Sequence, residues 1–149
     1  GGSYGGYLTL QALTHRPDLW AAGIGLVAIA DWVQMWEEGD ALRAYDEGLF
    51  GGTPADRPEA YRAASPLTRA ADLRAPLLVI QGRNDPRCPP RQMERFVEAV
   101  RATGGPLEID WFDAGHGHGA IEQRIAWQRR AMAFAAAALE TRGGVPAHR

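Results

Sequence analysis

The chain has 149 residues, of which 46% are hydrophobic and 23% are charged, and its formal net charge at pH 7 is −2. Such a length allows one domain with a hydrophobic core, while a near-neutral chain without a basic stripe argues against a nucleic-acid partner. The sequence contains no run of about 18 apolar residues, so we predict no membrane span. The single cysteine, Cys88, excludes an internal disulfide and fits a reducing compartment, so we expect a cytoplasmic protein.

The first predicted element is a turn around a serine. The chain opens with Gly1-Gly2-Ser3-Tyr4-Gly5-Gly6-Tyr7, which contains Gly-x-Ser-x-Gly, a pattern typical of a sharp strand-to-helix turn that exposes a nucleophilic hydroxyl. Side chains at Gly1 and Gly5 are expected to clash with neighbouring backbone. A glycine-rich linker is the alternative for these residues alone. A phosphate-binding loop is a weaker alternative, because the Lys-Ser/Thr pair is missing. Since the chain has no initial Met and no strand before the turn, we expect it to be a piece of a longer protein.

The remaining elements alternate between helix and strand. We predict a helix at 4–14, a buried strand at 22–30, a helical insert of several short helices at 31–71, a strand at 75–82, a helix at 90–103, an edge strand at 107–112, a last helix at 119–140 and a disordered tail at 141–149. This alternation predicts an α/β fold with three parallel strands, side by side in chain order and flanked by helices.

Three polar residues stand where predicted strands end or a helix begins. Asp85 follows one strand, His116 follows the next, and Ser3 lies in the opening turn. Since parallel strands place their carboxyl ends at one edge, we expect these side chains to meet there, in the Ser-Asp-His order of α/β-hydrolases. His116 would then take the Ser3 proton, and Asp85 would orient the imidazole. The backbone N–H of Tyr4 would bind the developing oxyanion.

Each of these residues also has a simpler interpretation. Asp85 is a common turn residue when taken alone. His116 and His118 form only a weak metal signal, since two histidines lack a further ligand at suitable spacing, and Cys88 is expected to be a small buried residue. Aromatic residues of the insert are either a substrate pocket or the insert's own core; the pocket candidates are Trp32, Trp36 and Tyr45.

The motifs together resemble those of the prolyl oligopeptidase family of serine peptidases. The matching stretches run through nearly the whole chain: residues 1–7, 15–22, 31–32, 65–67, 75–85, 89 and 115–117. The resemblance implies an α/β-hydrolase fold, of which this chain would hold the last three strands while the N-terminal strands are missing. It also implies Ser3, Asp85 and His116 as the triad, with no cofactor and no metal. Two departures are Ala114, where the family usually has Glu, and Cys88, where a small aliphatic residue is usual.

These observations leave three functional hypotheses. The first is a serine peptidase that cleaves peptide bonds through an acyl-enzyme, and the second is a carboxylesterase acting on small esters. The third is a truncated, catalytically incompetent fragment that serves as an assembly module. In each case the strand at 22–30 would expose an apolar edge if the preceding strands are missing, so we expect self-association through that edge.

Overall fold

A computed structural model of the chain describes residues 1–40, 43–117 and 120–142. Within these residues the elements run in the order α1 (Tyr4–His15), β1 (Gly23–Leu26), α2 (Trp32–Glu38), α3 (Arg43–Phe50), α4 (Pro58–Ala64), a 3₁₀ helix (Pro66–Asp72), β2 (Leu77–Gly82), α5 (Pro90–Ala102), β3 (Leu107–Phe112) and α6 (Ile121–Arg142). The alternation of helices and strands is as predicted, and the segment at 31–71 is helical throughout its regular parts.

The three strands form one parallel sheet in the order β1-β2-β3. Gly23 pairs with Leu77 and Leu77 pairs with Leu107, so all three strands start at a common level. β2 and β3 also end together, whereas β1 ends two residues earlier, at Leu26 opposite Ile80. The prediction of side-by-side parallel strands in chain order is therefore confirmed, with β3 at an edge of the described sheet. The carboxyl ends of the strands share one rim, where the candidate site lies.

The central strand β2 is buried along its whole length because helices cover both faces of the sheet. Leu77 and Val79 point to one face, where they pack in a cluster with Phe96 of α5, and Leu78 and Ile80 point to the other, against Phe134 of α6. Each fully buried aliphatic side chain of this kind contributes about 1.5–3 kcal/mol of transfer free energy. A strand covered on both faces therefore appears in the sequence as an uninterrupted apolar run.

The strand predicted at 22–30 is shorter than expected, since β1 ends at Leu26. Val27 has a φ of 42°, which turns the chain out of the sheet. Residues beyond this turn stay buried because α5 supplies hydrogen bonds in place of a neighbouring strand. The Gln92 side chain donates to the carbonyl of Ala28 (2.9 Å) and accepts from the N–H groups of Ala30 and Asp31.

The last helix also differs from its predicted bounds. Thr141 was assigned to a disordered tail, but α6 continues through Arg142, and the Thr141 hydroxyl donates to the carbonyl of Ala137 at 2.8 Å. Residues 143–149 lie outside the described part of the chain, as does the predicted helix start at residue 119. The helix packs through Phe134 and Ala138. No helix among the described residues is long and apolar enough to cross a membrane.

Residues 1–3 run along the outer edge of β1 and form hydrogen bonds with it. The terminal amine of Gly1 donates to the carbonyl of Ile24 at 2.7 Å. Leu26 accepts from the Ser3 N–H (2.8 Å) and donates to the Gly1 carbonyl (2.9 Å). Beside this edge runs a groove of about 420 Å³ whose lining includes Leu8, Trp20 and Ile24. The helical spacing of Leu8, Ala12 and Leu13 in the predicted helix places all three on a buried side. Leu8 is nevertheless 53% exposed, because none of the described elements covers that side of α1.

The apolar groove beside this edge, with its exposed Leu8, predicts self-association of the chain. We expect size-exclusion chromatography with light scattering to give a mass above the 16.2 kDa of one chain. Leu8→Glu places a charge in the groove and should shift the equilibrium toward the monomer. Leu49→Glu, at an exposed leucine on α3, is the matched control and should leave the mass unchanged. A monomeric wild-type chain at all concentrations tested would contradict the prediction.

Candidate active site

Ser3 occupies a strained turn at the start of α1. Its φ of 53° lies in the left-handed region, which costs a non-glycine residue on the order of 1–3 kcal/mol and is common at functional sites. A Cβ at residue 1 would lie 2.6 Å from the backbone of Gly5, so glycine is required there as expected. A Cβ at Gly5 would meet no atom within 4 Å, so the expectation for that residue is wrong. The close approach is made instead by Gly6, where a Cβ would lie 2.7 Å from that of Ala28.

The loops after β2 and β3 lie against one another at the same rim. The Arg83 N–H donates to the carbonyl of Phe112 at 2.9 Å, and the Asn84 N–H donates to that of Ala114 at 3.2 Å. A Cβ on Gly82 would stand 2.3 Å from the carbonyl oxygen of Gly115, so only glycine allows this contact. The parallel pairing is thus extended beyond the sheet, and it brings Asp85 and His116 side by side.

The structure brings Ser3, Asp85 and His116 into one chain of hydrogen bonds. Nε2 of His116 is 2.9 Å from Oγ of Ser3, and its Nδ1 is 2.9 Å from Oδ2 of Asp85. In the neutral tautomer with hydrogen on Nδ1, the ring donates to the carboxylate and Nε2 accepts from the serine hydroxyl. The Ser3 hydroxyl makes no helix-capping bond, so it is available for this contact. A weakly acidic hydroxyl is thereby paired with a base that a third group orients.

The carboxylate of Asp85 is held from within the protein. Its side chain is fully buried, whereas that of His116 is 29% exposed. Its Oδ1 accepts from the backbone N–H groups of Arg87 and Cys88, each at 2.9 Å, which fixes the plane of the carboxylate. The interpretation of Asp85 as a turn residue is therefore compatible with a role beside His116, because the turn itself orients the carboxylate toward the imidazole.

Tyr4 begins α1 directly after Ser3. Its N–H belongs to the first turn, where the helix offers no acceptor within its own ladder, so it is free to meet an oxyanion. The ring of Tyr4 lies 5.3 Å from that of Tyr7 and 6.1 Å from that of Trp32. Burial raises the pKa of the Tyr4 phenol, with smaller contributions from Tyr45 and Tyr7.

The three predicted pocket residues have different positions around this aromatic group. Trp32 is buried to 1% exposure in a cluster with Met35 and Tyr61, so it packs beneath the site and presents no open surface. Trp36 is half-buried and donates its Nε1–H to Glu47 at 3.0 Å. Tyr45 is 55% exposed, and its charge contributes to the raised pKa of Tyr4.

Cys88 lies under the site, as the small buried residue that the sequence suggested. Burial, followed by the charge of Asp85, raises the pKa of the thiol to about 12, against a smaller lowering from a contact with the Ser3 hydroxyl. The sequence did not reveal that Asp85, Cys88 and His116 each offer a ligand atom within 4.8 Å of the others. His118, the other histidine considered for metal binding, lies outside the described residues.

Sequence reasoning also missed the residues that position α2. Asp31 caps α2 by accepting from the Val33 N–H at 3.0 Å, and its other oxygen pairs with Arg95 of α5 at 2.8 Å. Together with Gln92, this contact holds the segment from β1 to Trp32 against α5. The only sequence signal was the Asp31-Trp32 pair, since nothing in the periodicity of α5 distinguishes Gln92 from a surface glutamine.

Comparisons with known proteins show the family to which the chain belongs. The profile of the prolyl oligopeptidase family matches residues 1–142. Dipeptidyl aminopeptidase BIII of Pseudoxanthomonas mexicana is 34% identical over an alignment that covers 93% of this chain and 21% of the relative. A puromycin-hydrolyzing peptidase of Mycobacterium tuberculosis superposes with a TM-score of 0.85 at 33% identity, covering 93% of this chain and 21% of that structure.

An acylaminoacyl peptidase of Pyrococcus horikoshii superposes with a TM-score of 0.82 at 35% identity, covering 89% of this chain and 23% of that structure. The chain therefore spans about a fifth of the length of these relatives.

An unusual carboxylate lies in the insert beside the aromatic group. Asp46 of α3 is fully buried, and both of its oxygens lack a hydrogen-bond partner among the described residues. The Nε1 of buried Trp32 also lacks one within the same described ranges. Burial, and then repulsion from Glu47, raise the pKa of Asp46 to about 6, although its place in the first turn of a helix favours an anion. Desolvation thus outweighs the helix dipole here.

The raised pKa of Asp46 predicts a specific pH dependence of stability. The native state binds the proton more tightly than the unfolded chain, so the contribution of Asp46 to the free energy of unfolding falls as the pH rises from about 4 to 7. Asp46→Asn removes this fall and should become more stable than wild type at pH 8, by at most about 3 kcal/mol. Urea unfolding at pH 4 and pH 8 measures the difference. Asp72→Asn, at an exposed position, should show none, and equal stability of Asp46→Asn and wild type at pH 8 would contradict the assignment.

Proposed function

The chain belongs to the prolyl oligopeptidase family and its sheet is part of an α/β-hydrolase fold, and on this premise we propose that Ser3, Asp85 and His116 are the catalytic triad of a serine peptidase. The observation that carries the proposal is the pair of 2.9 Å contacts that join the serine hydroxyl to the imidazole and the imidazole to a buried carboxylate. Relatives that share the family and the fold are peptidases, which favours peptide bonds as the substrate.

In the proposed reaction Oγ of Ser3 attacks the carbonyl carbon of the scissile bond while Nε2 of His116 takes the hydroxyl proton. The imidazolium then gives that proton to the leaving amine, and an acyl-enzyme remains on Ser3. Water deprotonated by the same nitrogen releases the acid and restores the hydroxyl. Asp85 stabilises the imidazolium in both halves, and it can do so without moving because two backbone N–H groups hold it.

The negative charge of the tetrahedral intermediate would be met by the N–H of Tyr4 at the start of α1. The helix dipole favours an anion at this end by about 0.3–1 kcal/mol, while a directed hydrogen bond in a closed site contributes about 3–4 kcal/mol. The hydrogen bond therefore dominates. The described residues at the turn offer no second donor for the oxyanion. The proposal therefore includes a second donor from elsewhere in the whole protein.

Two other functional hypotheses remain for the same site. A carboxylesterase would use the same three residues on a small ester, whose leaving group needs less help from the acid. A catalytically incompetent assembly module is favoured only by the apolar groove beside β1. A cytoplasmic location is likewise a prediction that rests on the single cysteine.

An activity-based probe tests the role of Ser3. A fluorophosphonate should label the folded chain at Ser3 in peptide mapping, and not at Ser65, the other serine of the sequence. Ser3→Ala should abolish the labelling because the nucleophile is lost, while circular dichroism shows that the fold is kept. Wild-type chain that folds but stays unlabelled would contradict a competent site in this chain and support the assembly module.

Replacement of the orienting carboxylate tests the triad itself. In Asp85→Asn the amide oxygen can still accept from the N–H groups of Arg87 and Cys88, so the loop should hold. The amide NH₂ then faces Nδ1 of His116 and favours the wrong imidazole tautomer. We expect the labelling rate to fall by up to about 10⁴-fold. Asp72→Asn is the surface control, and a near-normal rate in Asp85→Asn would remove Asp85 from the mechanism.

A further inference from the structure

Three side chains of the site form a ligand set that differs from their role in proton transfer. Asp85, Cys88 and His116 offer a carboxylate oxygen, a thiol sulfur and an imidazole nitrogen, all within 4.8 Å of one another. Cys88 is the single cysteine of the chain, so the sulfur in this cluster has no substitute elsewhere. The peptidase chemistry proposed above uses the carboxylate and the imidazole but gives the thiol no function.

The combination of these three groups is suited to Zn²⁺. Thiolate, imidazole and carboxylate are its usual ligands, at about 2.3 Å for sulfur and about 2.0–2.2 Å for nitrogen and oxygen. Tetrahedral angles then require the ligand atoms to stand about 3–4 Å apart, which is within about 1 Å of the spacing that the structure shows. Water, or the Ser3 hydroxyl that lies 2.9 Å from Nε2 of His116, can complete the fourth position.

The burial of the three groups defines the direction of entry. The side chain of Asp85 is fully buried and Cys88 is buried, while that of His116 is 29% exposed. A small ion therefore approaches from the His116 side. Nδ1 of His116 lies 2.9 Å from Oδ2 of Asp85, so an ion bound to both atoms would replace the hydrogen bond that joins them.

We propose that Asp85, Cys88 and His116 bind Zn²⁺, and that the bound ion excludes the hydrogen-bonded arrangement of Ser3, His116 and Asp85. The metal forms bonds to sulfur, nitrogen and oxygen, the thiol proton leaves to solvent, and no group changes oxidation state. The claim that Zn²⁺ binds depends only on the cluster of Asp85, Cys88 and His116. The consequence, reversible inhibition, rests on the proposed peptidase function, because it is the occupied imidazole that can no longer take the Ser3 proton.

Cd²⁺ serves as the spectroscopic probe for this site, because Cd²⁺–thiolate bonds absorb in the ultraviolet. Wild-type chain titrated with Cd²⁺ should give a saturable thiolate-to-metal band at one equivalent, and added Zn²⁺ should remove it by competition. Cys88→Val conserves the apolar volume and should show no band. The affinity of Cys88→Val for Zn²⁺ by calorimetry should fall by more than the roughly 10- to 100-fold typical when a supporting residue is lost.

Two more variants separate this site from other histidines. His116→Ala keeps the thiol and should weaken Zn²⁺ binding comparably, whereas His118→Ala and His15→Ala should bind as wild type does. Cys88→Ala repeats the test with a smaller side chain in case the valine perturbs the fold, which circular dichroism checks. Equal Zn²⁺ affinity in wild type and both Cys88 variants would overturn the proposal, and so would loss of binding in His118→Ala but not in His116→Ala.

Fluorophosphonate labelling with and without Zn²⁺ distinguishes this inference from the proposed function. In wild type, Zn²⁺ should slow the labelling of Ser3, and each Cys88 variant should keep its own metal-free rate at the same Zn²⁺ concentration. Absence of labelling in metal-free wild type, together with an intact Cd²⁺–thiolate band, would contradict the peptidase proposal and leave the metal site supported. Labelling that is insensitive to Zn²⁺ at saturating occupancy would overturn the claim of exclusion.

Discussion

The parallel pairing of β2 with β3 is the constraint on which the site depends. It aligns Gly82 with Phe112, so the loops that carry Asp85 and His116 leave the sheet at one level. The pairing then continues outside the sheet through the N–H groups of Arg83 and Asn84. Gly82 makes this possible, because any Cβ there would strike the backbone of the His116 loop. The distance between carboxylate and imidazole is thereby set by backbone hydrogen bonds, which are stiffer than side-chain contacts.

The members of the site differ in burial. Asp85 is enclosed and held by N–H groups, Ser3 is half-buried in a strained turn, and His116 is the most exposed of the three. This arrangement places the charged member where its orientation is fixed, while a molecule from solvent can reach the imidazole and the reactive hydroxyl. It also leaves the Cys88 thiol within 4.8 Å of ligand atoms of Asp85 and His116, so the group that packs beneath the site is a potential ligand as well as a spacer.

Polar groups without partners are concentrated in the insert that stands beside Ser3. Asp46 and the Nε1 of Trp32 are both buried without hydrogen bonds among the described residues, in a region otherwise filled by aromatic rings. An unpaired buried carboxylate costs stability, which the close contacts of Trp32, Phe50 and Tyr61 offset. The insert is thus held by aromatic packing and by the anchoring of Asp31 to α5, while its electrostatics oppose folding near neutral pH.

The sequence by itself determined the order of elements, the parallel sheet and the positions of Ser3, Asp85 and His116 relative to it, because these follow from local periodicity and from the rule that parallel strands share one rim. It could not place Gln92 or Asp46, since a buried polar side chain has the same local pattern as an exposed one. It misjudged Leu8, Gly5 and the end of β1 for a related reason: whether a position is covered depends on which distant segment lies over it. Only the tertiary structure decided that Cys88 and Asp85 share one small volume with His116, because that proximity arises from two loops, those after β2 and β3, folding against each other.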